Sequence, residues 1–180
     1  MKKFLLRISL VFLIVFLQIN FLNLLFSQNY TFNISVLVII AWLIVAGFEK
    51  TWKWIIFLGF LNDIFMGNRI GLNILFFIIF AYTLSFISRR FIIERRFSGF
   101  LLVVIFILSG LALSEIFSAI SNNYFHLSDV WSDLKNDLFS WKKTLWSNIL
   151  ALICFYFIYE LINRMEKHIS RFENRLKINL

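Results

Sequence analysis

Apolar residues in this chain are gathered into six blocks, each bounded by charged or turn-forming residues. The blocks run from Phe4 to Phe26, Ile34 to Phe48, Trp52 to Met66, Leu72 to Ile87, Phe100 to Ile120 and Leu145 to Asn163. A helix needs roughly 20 apolar residues to cross about 30 Å of hydrocarbon, and the first, fifth and sixth blocks meet that length. The other three are shorter, and tilt or local thinning absorbs such a mismatch. Strands of an outer-membrane barrel would alternate apolar and polar at about every second residue, which these blocks do not. The blocks therefore predict an all-α, polytopic membrane protein of about six transmembrane helices. A re-entrant hairpin around Gly67 is the alternative for the third and fourth blocks, and would leave four crossings.

Composition agrees with this reading. Hydrophobic residues make up 61% of the chain and charged residues only 16%, against about 45–50% and about 25% in soluble domains. A soluble globular domain, a disordered tail, a coiled coil and a disulfide-rich module are excluded. Lys2, Lys3 and Arg7 precede the first block in the manner of a signal peptide. That block is longer than an h-region of about 7–15 residues and has no small-residue cleavage site, so a retained helix is expected. No linker, repeat or low-complexity stretch divides the chain, and residues 1–180 read as one integral membrane domain.

The basic residues set orientation. With the N-terminus inside, 14 of the 18 Lys and Arg residues fall on the inner side, and only Arg69, Lys135, Lys142 and Lys143 fall outside. Lys and Arg accumulate on the cytoplasmic side of membrane proteins, so both termini are expected there. The net charge of +8 is then a topology signal and a contact for anionic lipid head groups, with no nucleic acid needed. Cys154 is the single cysteine, and His126 and His168 lie far apart, so neither a disulfide nor a metal site is expected.

Two segments outside the blocks are patterned. Leu127, Trp131, Leu134, Leu138 and Trp141 recur at helical spacing, with Asp129, Asp133 and Asp137 on the opposite face. Ser128 as N-cap and Lys142 and Lys143 in the last turn complete an amphipathic helix over about 128–142, lying on the outer membrane surface. The cytoplasmic tail, 164–180, continues such a stripe with Ile162, Met165, Ile169, Phe172 and Leu176 among basic residues. Packing at the membrane surface is the plain reading of both; a docking face is the alternative.

Ionisable residues within spans are functional-site candidates, because burying them costs several kcal/mol without a partner. Glu160 has Arg164 four residues on, a pairing of helix neighbours. Asp63 and Glu115 fall toward the outer ends of the third and fifth spans, and Arg69 and Asn73 begin the fourth on that side. An outward polar cluster of Asn62, Asp63, Arg69, Asn73 and Glu115 is expected, with Arg69 pairing to Asp63 or to Glu115. Its first role would be to fix the packing of the third, fourth and fifth helices; a substrate or proton site and a partner contact are the alternatives. Gly110 and Ser114, with Ser109 and Ser118 nearby, give the fifth helix a small-residue face for close approach. No nucleophile elbow, zinc signature or phosphate loop is present. Asp129, Asp133 and Asp137 are spaced to gather a divalent metal, yet they form the solvated face of their helix. No catalytic, cofactor-binding or metal residue is assigned, and an enzyme is not expected.

The stretch from Trp54 to Tyr82, WIIFLGFLNDIFMGNRIGLNILFFIIFAY, carries Gly59, Asp63, Gly67 and Gly71 at four-residue intervals. It resembles the rod-shape-determining MreD family, small bacterial inner-membrane proteins with a G-x3-D-x3-G-x3-G core in a helical hairpin. In this pattern Gly59 permits close helix packing, Gly67 and Gly71 serve the turn and the next helix, and Asp63 supplies a buried anion for Arg69 or for backbone amides at that helix's N-terminus. Where the family often has Pro between the second and third glycines, this chain has Asn68, Arg69 and Ile70. The resemblance implies a non-catalytic subunit of the elongasome that binds MreC. Through MreC it would reach MreB and the glycan polymerase and transpeptidase of the lateral wall, with no cofactor and no small-molecule substrate. It also implies a fold similar to the substrate-binding subunit of energy-coupling-factor transporters, whose vitamin-binding role is the alternative function. Such subunits meet their coupling partner through an A-x3-A face on the first helix, and the span from Phe4 to Phe26 has neither Ala nor Gly. A membrane enzyme acting on lipid phosphates is a third, disfavoured reading.

Overall fold

A computed structural model describes residues 2–21, 33–65, 70–90, 97–122 and 141–178. Among the described residues there are six α-helices and no strand. They are α1 (Lys2–Phe16), α2 (Ile34–Ala46), α3 (Phe48–Phe65), α4 (Leu72–Arg90), α5 (Phe97–Asn122) and α6 (Trp141–Ile178). Two of them are long and apolar enough to cross a membrane, over Leu101–Ala119 in α5 and Trp146–Ser170 in α6. Shorter apolar stretches cover Phe4–Asn20, Ile34–Ala46 and Leu72–Ser88.

The helix α2 is the centre of the fold. Its residues from Ile34 to Trp42 are all buried, and it packs against each of the other five helices. Such an element carries no polar face, because a helix that is apolar all round has no side to offer to water. Asn33 caps its start, the side-chain oxygen accepting from the Ser35 amide at 3.1 Å. Its end is Gly47, at φ 77°, whose amide donates to the Leu43 carbonyl at 3.1 Å. A single residue in this left-handed conformation joins α2 to α3, which no side chain with a Cβ does without strain. Residues 49–51, left between the second and third blocks, are therefore part of the first turn of α3. Glu49 suits the N-terminal dipole there, and the buried Thr51 donates its hydroxyl to the Gly47 carbonyl at 2.8 Å.

Three further boundaries depart from the sequence reading. The first span was expected to run straight to Phe26, but α1 passes into a π-helical turn over Leu17–Phe21, and residues 22–32 lie outside the described residues. The last span was expected to end at Asn163 with a separate tail, but α6 is continuous for 38 residues. No Gly or Pro interrupts it, and without a helix breaker its apolar stripe runs on in register: Ile162 and Ile169 are buried and Met165 packs against the core. Finally, Trp141, Lys142 and Lys143 open α6 rather than close an amphipathic helix. The remainder of that expected helix, 128–140, lies outside the described residues.

Candidate functional site

Three neighbouring segments each run between two polar clusters: α1 with its π-helical turn from Arg7 to Gln18, α2 from Trp42 back to Ser35, and α3 from Trp54 to Asp63. The clusters are therefore at opposite ends of the bundle.

At the first end, α3 delivers Asp63 almost fully buried, at 1% exposure. Its Oδ2 accepts from the Gly71 amide at 2.7 Å and its Oδ1 from the Asn73 amide at 3.0 Å. The Gly71 carbonyl receives the first helical bond of α4, from the Leu75 amide at 2.9 Å, so Gly71 stands at the N-cap. Glycine has no side chain to cap with, and the Asp63 carboxylate takes over that work from the preceding helix. The N-terminal end of a helix carries partial positive charge, which favours a carboxylate placed there. At φ 105°, Gly71 also occupies backbone space that L side chains rarely enter. One turn before Asp63, Gly59 lets α4 approach so closely that a Cβ there would lie 2.8 Å from the Ile74 Cα.

Asn62, beside Asp63 and equally buried, extends this cluster to two more helices. Its amide nitrogen donates to the Ser35 hydroxyl at 2.8 Å and to the Leu58 carbonyl at 3.0 Å. The Ser35 hydroxyl donates in turn to Gln18 Oε1 at 2.7 Å, and the Ser35 amide to the same oxygen at 3.1 Å. Gln18 belongs to the π-helical turn, where the inserted residue redirects neighbouring side chains. Two atoms in this layer are buried with no hydrogen-bond partner among the described residues, Asn62 Oδ1 and Asn73 Nδ2. Each leaves a desolvated polar group that costs on the order of 1–3 kcal/mol.

The expected members of the cluster divide accordingly. Asn62, Asp63 and Asn73 come together, and of the two partners expected for Asp63 the backbone amides of α4 are the ones seen. Gly67 and Arg69 lie outside the described residues, so the expected pairing of Arg69 with Asp63 or Glu115 lies there too. Glu115 is half-buried on α5. That helix runs antiparallel to α4, with Phe117 against Phe76 at 4.8 Å between ring centroids and Gly110 against Phe80, which puts Glu115 at the same end. Ser114 is buried and turns its hydroxyl back to the Leu111 carbonyl at 2.8 Å. Comparison with protein-family models, curated proteins and solved structures finds no match to this chain.

Gln18 and Ser35 were not anticipated. The only signal for them was a polar residue inside an otherwise apolar run, matched by a second just inside the start of the next.

The second cluster was not anticipated at all. Arg7 grips Glu166 with two bonds, Nε to Oε1 at 3.2 Å and Nη2 to Oε2 at 2.9 Å. The Trp42 indole donates to Oε1 at 3.0 Å, and the Arg7 guanidinium sits 5.9 Å from the Trp54 ring centroid. The two charged side chains keep only 17% and 12% of their exposure. The fork geometry of Arg matches a carboxylate in this way, and Lys would not reproduce it. Glu160 and Arg164, in the turns just before Glu166 on α6, form an exposed pair at 2.8 Å, a contact of small energetic value. Near the second cluster a cleft of about 300 Å³ opens between the Gly47 turn and Ser85 and Ser88 of α4. Among the described residues no three His, Cys, Asp or Glu side chains gather to hold a metal.

Proposed function

We propose that this chain is a multi-pass, non-catalytic subunit of the bacterial rod complex in the cytoplasmic membrane, binding MreC and, through it, MreB and the glycan polymerase and transpeptidase. The observation that carries the reading is the meeting of Gly59, Asp63 and Gly71 at one helix crossing. These are the residues by which the chain resembles the MreD family. Their arrangement supports a structural joint: both Asp63 carboxylate oxygens accept backbone amides of the next helix, which ties the two helices of the hairpin together.

Six crossings with both termini cytoplasmic is the topology proposed. At 1.5 Å per residue, α3 and α4 are each about 27–29 Å long, close to the hydrocarbon thickness. The short α2 is enclosed by its neighbours and needs no lipid contact of its own. Large apolar side chains stand out from the other helices, among them Phe16, Tyr82, Tyr156 and Phe157, each at 60% exposure or more. Water would not tolerate so many; lipid or a partner's transmembrane helix would. The Arg7–Glu166 end is then cytoplasmic and the Asp63 end faces outward.

Depletion of the protein should turn rod-shaped cells round, and the tagged chain should copurify with MreC from solubilised membranes. Unchanged shape, together with a vitamin retained by the purified protein, would overturn the proposal in favour of a transport subunit.

A further inference from the structure

We propose that the cleft beside the Gly47 turn holds the headgroup of a phospholipid with a primary ammonium, of the phosphatidylethanolamine type. The inference rests on the membrane placement proposed above and is independent of the rod-complex reading.

Two helices follow a glycine with positive φ, α4 after Gly71 and α3 after Gly47. The first amides of a helix have no intrahelical partner, and neither glycine has a side chain to cap them. At Gly71 the Asp63 carboxylate arrives from the preceding helix to do so. At Gly47 no such acceptor reaches the Phe48 or Lys50 amide among the described residues. A cleft of about 300 Å³ opens there instead, a volume at the small end of ligand pockets.

The cleft carries both signs of charge. Because α2 ends at Ala46 and α3 starts at Phe48, the negative end of one helix dipole and the positive end of the next meet at Gly47. The Leu43 carbonyl is taken by the Gly47 amide, and the carbonyls of 44–46 have no partner within α2. Side chains repeat the contrast, since Glu49 and Lys50 both line the cleft and both are exposed. Lys50 makes no ion pair among the described residues, so its three N–H donors are available. Glu49 has a contact of its own, and a carboxylate with about four lone-pair positions keeps others.

A simple anion would be repelled by Glu49, and a simple cation by Lys50. A phosphate and an ammonium a few bonds apart satisfy both. The phosphate meets Lys50 and the α3 amides; the ammonium meets Glu49 and the carbonyls that end α2. From α4, Ser85 and Ser88 add hydroxyls. The Ser88 hydroxyl donates to the Ser85 carbonyl at 3.0 Å, which leaves its oxygen as an acceptor. A quaternary choline has no N–H to donate. Phe48 is the one aromatic ring on the lining, short of the cage that such a group favours.

Neighbouring side chains put the cleft at headgroup depth. Trp52, 42% exposed, has the Lys53 ammonium 5.4 Å from its ring centroid, and Trp and Lys collect where membrane meets water. Phe48 packs on Tyr82 at 6.1 Å between centroids. From Tyr82 back toward the middle of the bundle, Ile79 and Leu75 are exposed at helical spacing. That strip gives acyl chains an apolar wall directly below the headgroup.

The test reconstitutes the full chain in phosphatidylcholine nanodiscs containing a minor fraction of phosphatidylethanolamine. Native mass spectrometry then identifies the lipid that stays bound on release into neutral detergent. Phosphatidylethanolamine should be enriched at least about tenfold over its share in the disc. Lys50→Gln should abolish the enrichment, and Ser85→Phe should do the same by filling the cleft. Glu49→Gln, which keeps the phosphate contacts and loses the ammonium partner, should retain phosphatidylglycerol instead when that lipid is present. Lys53→Gln, a nearby cation that does not line the cleft, should change nothing. Glu49 and Lys50 are exposed, so unchanged unfolding midpoints in their variants separate lost lipid from lost fold. No enrichment, equal retention of phosphatidylcholine, or an equal loss in Lys53→Gln would overturn the proposal. Displacement of the lipid by water-soluble phosphoethanolamine would assign the cleft to a free headgroup and overturn the lipid. A chain that does not enter the discs would overturn the membrane placement and this site with it, a different result from an inserted chain without lipid preference.

Discussion

The two polar clusters solve the same problem, a carboxylate removed from water, by opposite means. Asp63 is satisfied by backbone amides only 8 and 10 residues away, on the next helix of the same hairpin. Glu166 is satisfied by side chains 159 and 124 residues distant, from the first and second helices. The first arrangement is local and made of backbone donors, which among substitutions only proline deletes. The second is long-range and ties the last helix to the first, so it can form only once the bundle has assembled. One closes a hairpin; the other closes the fold.

The comparison can be broken most easily at Glu166. Glu166→Ala should cost about 3–5 kcal/mol, since it strands a largely buried guanidinium, read as a lower midpoint of thermal unfolding for the full chain in neutral detergent. Removing both charges, as Arg7→Met with Glu166→Met, should restore most of that loss. A double variant as unstable as the single one would show that the charges themselves, and not the stranded partner, carry the joint.

Asp63→Ala should follow, at about 2–4 kcal/mol, because two buried amides lose their acceptor at once. Hydrogen exchange should accelerate at Gly71 and Asn73 while amides in the α6 segment around Glu166 keep their protection. Asp63→Asn retains one acceptor oxygen and should cost about half as much. If exchange rises equally at both ends, the clusters are one cooperative unit and the contrast between them fails.

Gly59→Ala tests whether close approach, rather than the carboxylate, sets the hairpin. A methyl group 2.8 Å from the Ile74 Cα meets backbone, which cannot swing aside, so a loss of about 1–3 kcal/mol is expected. An unchanged midpoint would mean that α3 and α4 can separate without disturbing the Asp63 bonds. The smallest effect belongs to Ser35→Ala, about 1 kcal/mol, since Gln18 keeps the Ser35 amide as donor. Its larger consequence should be increased exchange in the π-helical turn over Leu17–Phe21.

Legibility in the sequence tracks this division. Gly59, Asp63, Gly71 and Asn73 could be read together because they lie within one hairpin at helical spacing, where sequence distance and spatial distance nearly coincide. Gln18 and Ser35 could not, since a single amide or hydroxyl in an apolar run does not say which helix it faces. Arg7 and Glu166 were obscured for a different reason. Both stand among other charges at the ends of apolar blocks, where basic residues already have an explanation as topology signals. Gly47 was not singled out because the second apolar block was read straight through it to Phe48.

Run length and the placement of glycines and charges were enough to specify six helical segments, most of their limits, and a hairpin whose Asp63 needs a partner. These are properties of neighbouring residues, and the chain expresses them locally. Which helix sits at the centre, which charges pair from opposite ends of the chain, and how far α6 continues past its apolar block were decided only by the tertiary structure. Each depends on contacts between segments whose sequence separation carries no information about their distance in space.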